Sequence, residues 1–265
     1  MDRIVGAIAG RDPLPDVLAL QEVEDRSLRA GLRGHQLDRF VARLVDVTGH
    51  RWQGRHWCAH RYRAGVPVYG QGQALVWRGD VELIDAERCD ITHVRLPSCA
   101  RLKQRRIAVH ARLQVRGRAM DLVQAHLSLP AFFESGDPPP GTRRMGFGSN
   151  QLREVENLLG WLQGRLAPTT PAVLVGDLNS QPGTAVTERL VAAGWSDGFR
   201  QGAGLSLAEQ QAQGTHAFLG TPMHIDHVFV RGGASFRPTM MHRLGEGPFR
   251  GLSDHTPKEG AVHGL

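Results

Sequence analysis

Short apolar runs alternate along the chain with stretches in which apolar residues recur at helical spacing. The four apolar residues Val17–Leu20 follow a proline-containing loop and lead into Gln21 and Glu22, which predicts a buried strand that ends at those two residues. Comparable runs predict further strands at 73–78, 106–115, 119–126, 172–175 and 225–230. A turn at Gly117 predicts that two of these strands, 106–115 and 119–126, form a hairpin.

Three segments have apolar residues every three or four positions, which predicts amphipathic helices at 35–48, 149–164 and 184–193. Ser149 is the expected cap of the second helix. The segment 131–148, rich in proline and glycine, is expected to be a long loop. Because strands and helices alternate and a hairpin is included, the pattern predicts an α/β sandwich rather than a purely parallel doubly wound sheet.

The composition is that of one globular domain, which we expect to span residues 1–265. Hydrophobic residues make up 41% of the chain and charged residues 22%, near the average for folded proteins. No run approaches the roughly 18 apolar residues that cross a bilayer, and no signal peptide is recognisable. The three cysteines form no CxxC pair, so we expect a reducing compartment, the cytoplasm.

The net charge of +6 comes from arginine, with 30 Arg against 2 Lys among the 32 basic residues. Guanidinium groups bind phosphate through two parallel hydrogen bonds. The charge therefore permits a phosphate-bearing substrate. For most of these residues, a general preference for arginine codons is the favoured explanation.

Five short stretches place an acid, an amide or an imidazole just beyond a predicted strand. They are DVLALQE with Asp16 and Glu22, AHLSLP with His126, VGDLNSQPG with Asp177 and Asn179, HIDHVFV with Asp226, and LSDHTP with Asp254 and His255. Strand ends at one edge of a sheet can meet in a single site from distant parts of the sequence.

The residue types indicate one kind of chemistry. Carboxylates are hard oxygen ligands that suit Mg²⁺ or Mn²⁺. A histidine such as His255 can act as a general base or, when protonated, can stabilise a phosphate, and Asn179 can hold a phosphate oxygen or a water. Together these groups fit the attack of water on a phosphodiester.

In this order and spacing, the five motifs resemble the endonuclease/exonuclease/phosphatase superfamily. The resemblance runs from about residue 16 to 257. It implies a four-layer α/β sandwich with two packed mixed β-sheets, and an Mg²⁺- or Mn²⁺-dependent hydrolase of phosphate esters. A nuclease or a general phosphodiesterase that acts as a monomer is the expected form, with nucleic acid as one substrate class. The open alternative is a degenerate or truncated member that binds phosphate-rich ligands without turnover.

The resemblance also implies roles for single residues. Glu22 would be the principal metal ligand, with Asp254 beside the metal and Asp16 behind the ligands. Asp177 would orient or deprotonate the attacking water, and Asn179 would bind the scissile phosphate. His255 would be the acid or base, and Asp226 would orient it. His126 would contact the phosphate or the leaving oxygen. Arg143 and Arg144 would be phosphate contacts.

Two features depart from the family pattern. Relatives carry an Asn-bearing first strand before the LQE motif, and that Asn helps to hold the aspartate matched by Asp177. The 20 residues before Gln21 contain no Asn, so we expect the first strand to be missing. The residues after SDHTP read KEGAVHGL, so we expect the last strand to be short or absent.

Overall fold

The computed structural model describes residues 1–25, 36–64, 66–93, 104–130, 144–218 and 220–265. Its helices are α1 (Asp2–Ala9), α2 (Gln36–Thr48), α3 (Ser149–Leu162), α4 (Ala185–Ala192), α5 (Gly198–Ala203) and α6 (Leu207–Ala212). Its strands are β1 (Val17–Glu24), β2 (Trp52–Ala64), β3 (Val66–Arg78), β4 (Val81–Asp90), β5 (Ile107–Val115), β6 (Arg118–Ala125), β7 (Ala172–Asp177), β8 (Ser196–Asp197), β9 (His216–Phe218), β10 (Thr221–Met223), β11 (Asp226–Arg231), β12 (Ser235–Pro238) and β13 (Gly260–His263).

Two larger sheets organise the fold. The first is antiparallel with strand order β1-β3-β2, and the second has the order β4-β5-β6-β7-β11-β8. The second sheet is mixed, because β6 and β7 run parallel while its other neighbours are antiparallel. Two short antiparallel pairs, β9 with β10 and β12 with β13, form separate two-stranded sheets. The architecture is therefore mixed α/β, as the sequence predicts.

Alternating side chains along single strands divide the core. In β3, Ala74 and Val76 are buried with residues of α1 and α2, whereas Leu75 and Trp77 are buried with residues of the second sheet. In β7, Val173 faces the first sheet while Ala172 and Leu174 pack with α3 and α4. Because successive strand residues point to opposite faces, β3 and β7 each contribute side chains to two different core clusters.

The strands and helices predicted from the apolar pattern are all present, with the hairpin turn at Gly117 between β5 and β6. The expected cap of α3 is wrong: Ser149 is the first helical residue and Gly148 is the N-cap. The Gln151 side chain accepts a hydrogen bond from the Gly148 backbone amide, which is the bond that a glutamine at the third helical position makes back to the N-cap. The segment 131–143 lies outside the described residues.

The two ends of the chain hold one helix and one short strand. Residues 1–16 form α1 and a loop, and β1 lies at an edge of its sheet. The expected final strand is present and short, because the four residues of β13 pair with β12. Among the described residues no helix is long and apolar enough to cross a membrane.

Candidate active site

Glu22 lies where β1 leaves its regular ladder. The pairing of β1 with β3 shifts register between Leu20 and Val23, and Glu22 has a positive φ of 54°. A bulge of this kind turns a side chain away from its ladder position, and strained backbone of this kind clusters at functional sites. Glu22 is exposed and lines a small cleft with Gln71, Arg106 and His126.

Glu22 also has the chemistry of a metal ligand. Within the described parts of the chain, its carboxylate makes no hydrogen bond or ion pair. An exposed, uncommitted carboxylate at the rim of a cleft suits a hard divalent cation. The donor set therefore fits Mg²⁺ or Mn²⁺ at this position.

Asp177 ends β7 and lies directly opposite Asp226 in β11. Its carboxylate is buried and accepts a 2.8 Å hydrogen bond from the Asn179 amide. Its own backbone amide donates to Oε1 of Gln21 at 3.1 Å, which ties β7 to the bulge of β1. The two strands that carry Glu22 and Asp177 are thus joined at the site itself.

Close packing at this junction depends on Gly176. A Cβ on this residue would lie 1.8 Å from the carbonyl oxygen of Ala125 and 2.9 Å from the side-chain nitrogen of Gln21. No side chain fits such a gap. The glycine of the GDLN motif therefore lets β6, β7 and β1 meet closely enough to bring their terminal side chains together.

The pKa of Asp177 is raised from its ordinary value to about 7. Burial is the main cause, because it disfavours the ionised form, and the carboxylate of Asp226 adds to it. The positive charges of His255 and Arg106 act in the opposite direction. A carboxyl group with this pKa can accept or release a proton near neutral pH, which is the property of a general base.

Asp226 and His255 form a hydrogen-bonded pair, with Nδ1 of the imidazole 2.8 Å from a carboxylate oxygen. Thr215 supports the pair, because its hydroxyl accepts hydrogen bonds from the amides of Ile225 and Asp226. Burial alone would lower the pKa of His255, but the hydrogen bond and charge of Asp226 outweigh it and raise the pKa to about 9. His255 is therefore a cation at neutral pH, with Nδ1 fixed by Asp226.

His126 follows β6 and faces Asp177, with 3.6 Å between Nε2 and a carboxylate oxygen. One guanidinium nitrogen of Arg106 lies 2.9 Å from Nε2 and 3.0 Å from Nδ1 of this imidazole. Burial, and then the positive charges of Arg106 and His255, hold the pKa of His126 well below its usual range. His126 is therefore neutral, in contrast to His255.

Asn179 is buried and has a positive φ of 47°. One N–H of its side-chain amide donates to the carbonyl of Leu127 at 2.9 Å. Gln151 of α3 donates to the backbone carbonyl of Asn179 at 2.6 Å, which fixes the loop from the other side. The amide nitrogen carries two N–H groups, so the second remains for a substrate oxygen.

Comparison with known proteins identifies the family of the chain. The sequence profile of the Endonuclease/Exonuclease/phosphatase family matches residues 1–255. The chain belongs to this family. No curated protein matches the sequence of this family member.

Solved structures of the family share its fold. An endonuclease/exonuclease/phosphatase family protein from Leptotrichia buccalis is 15% identical with a TM-score of 0.67, over 99% of this chain and 92% of that one. ANGEL2, a 2',3'-cyclic phosphatase, is 16% identical with a TM-score of 0.63, over 98% and 84%. A mannosyl-6-phosphatase of Bacteroides thetaiotaomicron is 14% identical with a TM-score of 0.58, over 99% and 90%. At these identities the likeness concerns the fold alone.

The fold of this family member brings together most of the residues predicted from the motifs. Contacts or ladder pairing connect His126, Asp177, Asn179, Asp226 and His255. Glu22 lines the same cleft as His126. Asp254 is next to His255 in the chain, and its backbone carbonyl contacts His216.

Asp16 does not lie in this group, so its predicted place behind the metal ligands is wrong. Its carboxylate forms an ion pair with Arg78 and lies 3.4 Å from Arg116. Asp16 immediately precedes β1 and Glu22 lies six positions further along the chain, which at about 3.3 Å per residue separates the two by about 20 Å along the strand. Of the predicted phosphate contacts, Arg144 is buried and Arg143 lies outside the described residues.

Arg106 is the main site residue that the motifs missed. It is buried beside His126 although it belongs to none of the five stretches. The register of the β5–β6 hairpin fixes the position of Arg106, because Val115 pairs with Arg118 and Ala108 with Ala125. Counting back from the turn places Arg106 level with the residue that follows His126, so strand register could have found it.

Proposed function

We propose that this protein hydrolyses phosphate esters by attack of water at phosphorus, with the help of a divalent cation. The observation that carries the proposal is the continuous group of Asp177, Asp226 and His255 at the ends of β7 and β11 and in the SDH segment. The group combines a carboxyl that titrates near neutral pH with a fixed imidazolium. Both properties serve phosphoryl transfer to water.

Asp177 takes the proton of the attacking water in this proposal. Its raised pKa makes the transfer possible near pH 7. The hydrogen bond from the backbone N–H of Asn179 holds the carboxylate in one orientation. A fixed orientation matters because small displacements of a catalytic group from its productive position cost much of the rate.

His255 and Asn179 hold the phosphate. The Nε2–H of the imidazolium donates to a non-bridging oxygen and balances the charge that develops there. The second N–H of the Asn179 side-chain amide donates to another oxygen of the phosphate. Neutral His126, which Arg106 contacts, lies 3.6 Å from the Asp177 carboxylate and donates to the substrate or the leaving oxygen in this proposal.

Glu22 and Asp254 would hold the divalent cation, Mg²⁺ or Mn²⁺. Both are exposed carboxylates, and hard oxygen ligands prefer these ions. When bound, such a cation draws negative charge from the phosphate and positions it.

The substrate class is a phosphodiester or phosphomonoester, and we place a nuclease or a general phosphodiesterase first. Two structural neighbours are named as a 2',3'-cyclic phosphatase and a mannosyl-6-phosphatase, so cyclic and sugar phosphates belong in the same panel. The packing of each large sheet on the other sheet and on helices supports a four-layer sandwich. We expect a monomer in the cytoplasm, which gel filtration and cell fractionation would test.

The test is a substrate panel with Mg²⁺, Mn²⁺ or EDTA. It contains bis-p-nitrophenyl phosphate, supercoiled plasmid, an abasic oligonucleotide, a 2',3'-cyclic nucleotide, sphingomyelin, inositol phosphates and a hexose 6-phosphate. We expect hydrolysis of at least one substrate with either metal and none with EDTA. Asp177→Asn should abolish it, and Asp16→Asn, which changes a carboxylate at the far end of β1, should retain it.

Two results would contradict this proposal. Hydrolysis that survives in the Asp177→Asn protein would come from a contaminant or from another site. Absence of turnover on the whole panel, together with phosphate binding by calorimetry, would support the alternative of a family member that binds phosphate-rich ligands without hydrolysing them.

A further inference from the structure

His216, Asp254 and His255 form a cluster at the outer rim of the site. One ring nitrogen of each histidine and one carboxylate oxygen of Asp254 all lie within 4.8 Å of one another. The two imidazole rings stack, with 4.4 Å between centroids and 27° between planes. Asp254 is exposed and both histidines are partly exposed, so a dissolved ion can reach the cluster.

The second nitrogen of each ring already has a partner. Nδ1 of His255 is 2.8 Å from the Asp226 carboxylate, and Nδ1 of His216 is 3.2 Å from the backbone carbonyl of Asp254. Histidines that bind metals almost always donate their other ring N–H to a carboxylate or a carbonyl, which fixes the ring and its tautomer. Nε2 is therefore the ring nitrogen left for a metal in both imidazoles, and in His255 the metal would replace the proton on that atom.

The donor set points to a different ion from the one at Glu22. Two imidazoles and one carboxylate suit Zn²⁺ and related transition metals, whereas Mg²⁺ prefers oxygen ligands. Ligand atoms on a tetrahedral zinc with bonds of about 2.0–2.2 Å lie about 3.4 Å apart. Small side-chain movements would close the present spacing to that value.

We propose that His216, Asp254 and His255 form a zinc-class metal site whose occupancy switches off the hydrolase. A metal held there would use the Nε2 of His255 that binds the phosphate, and the carboxylate of Asp254 that supports the catalytic cation. The inhibition rests on the proposed function, but the binding of metal does not.

The binding test uses Zn²⁺ in calorimetry and Co²⁺ in visible absorption, both on the full chain at pH 8, where the metal has to displace the proton that His255 still carries. We expect one equivalent of metal and a Co²⁺ spectrum typical of nitrogen ligation. His216→Phe keeps a ring that can stack on His255 and removes the ligand, so the affinity should fall by about tenfold or more. His50→Phe, at an exposed histidine outside the cluster, is the matched control and should bind like the wild type.

The regulatory test measures Zn²⁺ inhibition of the Mg²⁺-supported reaction, with each variant normalised to its own rate without zinc. The half-inhibiting Zn²⁺ concentration should rise by about tenfold in His216→Phe. Unchanged Zn²⁺ and Co²⁺ affinity in a folded His216→Phe protein would overturn the site, whether or not the protein hydrolyses any substrate. Reduced affinity with unchanged inhibition would overturn the switch, because zinc would then act elsewhere.

Discussion

Replacing Asp226 by asparagine should lower the pKa of His255 by about 2. Asparagine keeps the size of the side chain and removes its charge, while the burial that disfavours the imidazolium remains. The pKa of His255 is raised from 6.5 to about 9, and one pKa unit corresponds to about 1.4 kcal/mol. The raised pKa of His255 then corresponds to a stabilisation of the folded protein of about 3 kcal/mol. Since the His255 side chain is 28% exposed, solvent screens part of it, and we expect about 2 kcal/mol.

The pH range of this stabilisation follows from the sign of the change. Because the folded protein holds the proton more tightly than the unfolded chain, the contribution is complete below about pH 6.5 and is lost as the pH rises through about 9. In urea unfolding, the free energy of unfolding should therefore differ between wild type and Asp226→Asn at pH 6, and this difference should shrink at pH 9.5. Histidine NMR should follow the pKa directly.

Asp254→Asn is the matched control, because Asp254 contributes least of the carboxylates that raise this pKa. It should lower the pKa of His255 far less than Asp226→Asn does. If His255 still titrates near pH 9 in Asp226→Asn, or if both variants lower its pKa equally, then the hydrogen-bonded pair is not the cause of the shift.

Three further predictions concern the metal, the packing and the pH profile. Glu22→Gln should reduce the Mg²⁺-supported rate by about 10²-fold without lowering the melting temperature; an unchanged Mg²⁺ titration would rule out its role as ligand. Gly176→Ala should cost more than about 3 kcal/mol in urea unfolding, whereas Gly160→Ala, at an open position on α3, should be neutral or slightly stabilising; equal effects would refute the packing argument. The dependence of kcat/KM on pH should rise through about 7 as Asp177 ionises and fall through about 9 as His255 loses its proton; a profile flat from pH 6 to 10 would show that neither group takes part.

Most strands found from the apolar pattern lie in the interior of a sheet, and β1, which lies at an edge, is the exception. β7 and β11 have near-continuous apolar runs, and both lie inside their sheet. β2 and β4 were not predicted, and both are edge strands that carry several charged residues. Charged side chains on edge strands protect them from pairing with other chains, and this same feature removes the alternation by which a strand is recognised.

The motifs located most of the site because several of its residues lie at strand ends: Asp177 ends β7, Asp226 begins β11 and His126 follows β6. They could not predict how those ends are joined. The bulge that turns Glu22 outward depends on the pairing of β1 with β3, and the position of Arg106 depends on hairpin register. The sequence also placed Asp16 too close to Glu22. The two residues are near each other in the sequence, but an extended strand separates them in space.

The direct pairing of Asp177 with Asp226 across two strands has a cost in thermal stability. Like charges that face each other in a sheet destabilise it. Because the pKa of Asp177 is raised from 3.8 to about 7, the folded protein resists its ionisation, and folding loses free energy as the pH rises from about 4 to about 7. Asp177→Asn should therefore melt at a higher temperature than wild type at pH 8, which differential scanning calorimetry would measure. A lower melting temperature would show that the carboxylate is a net stabiliser. The protein thus has a lower thermal stability in return for a general base that works at neutral pH. The inactive Asp177→Asn variant would be the more stable protein for crystallisation with substrate.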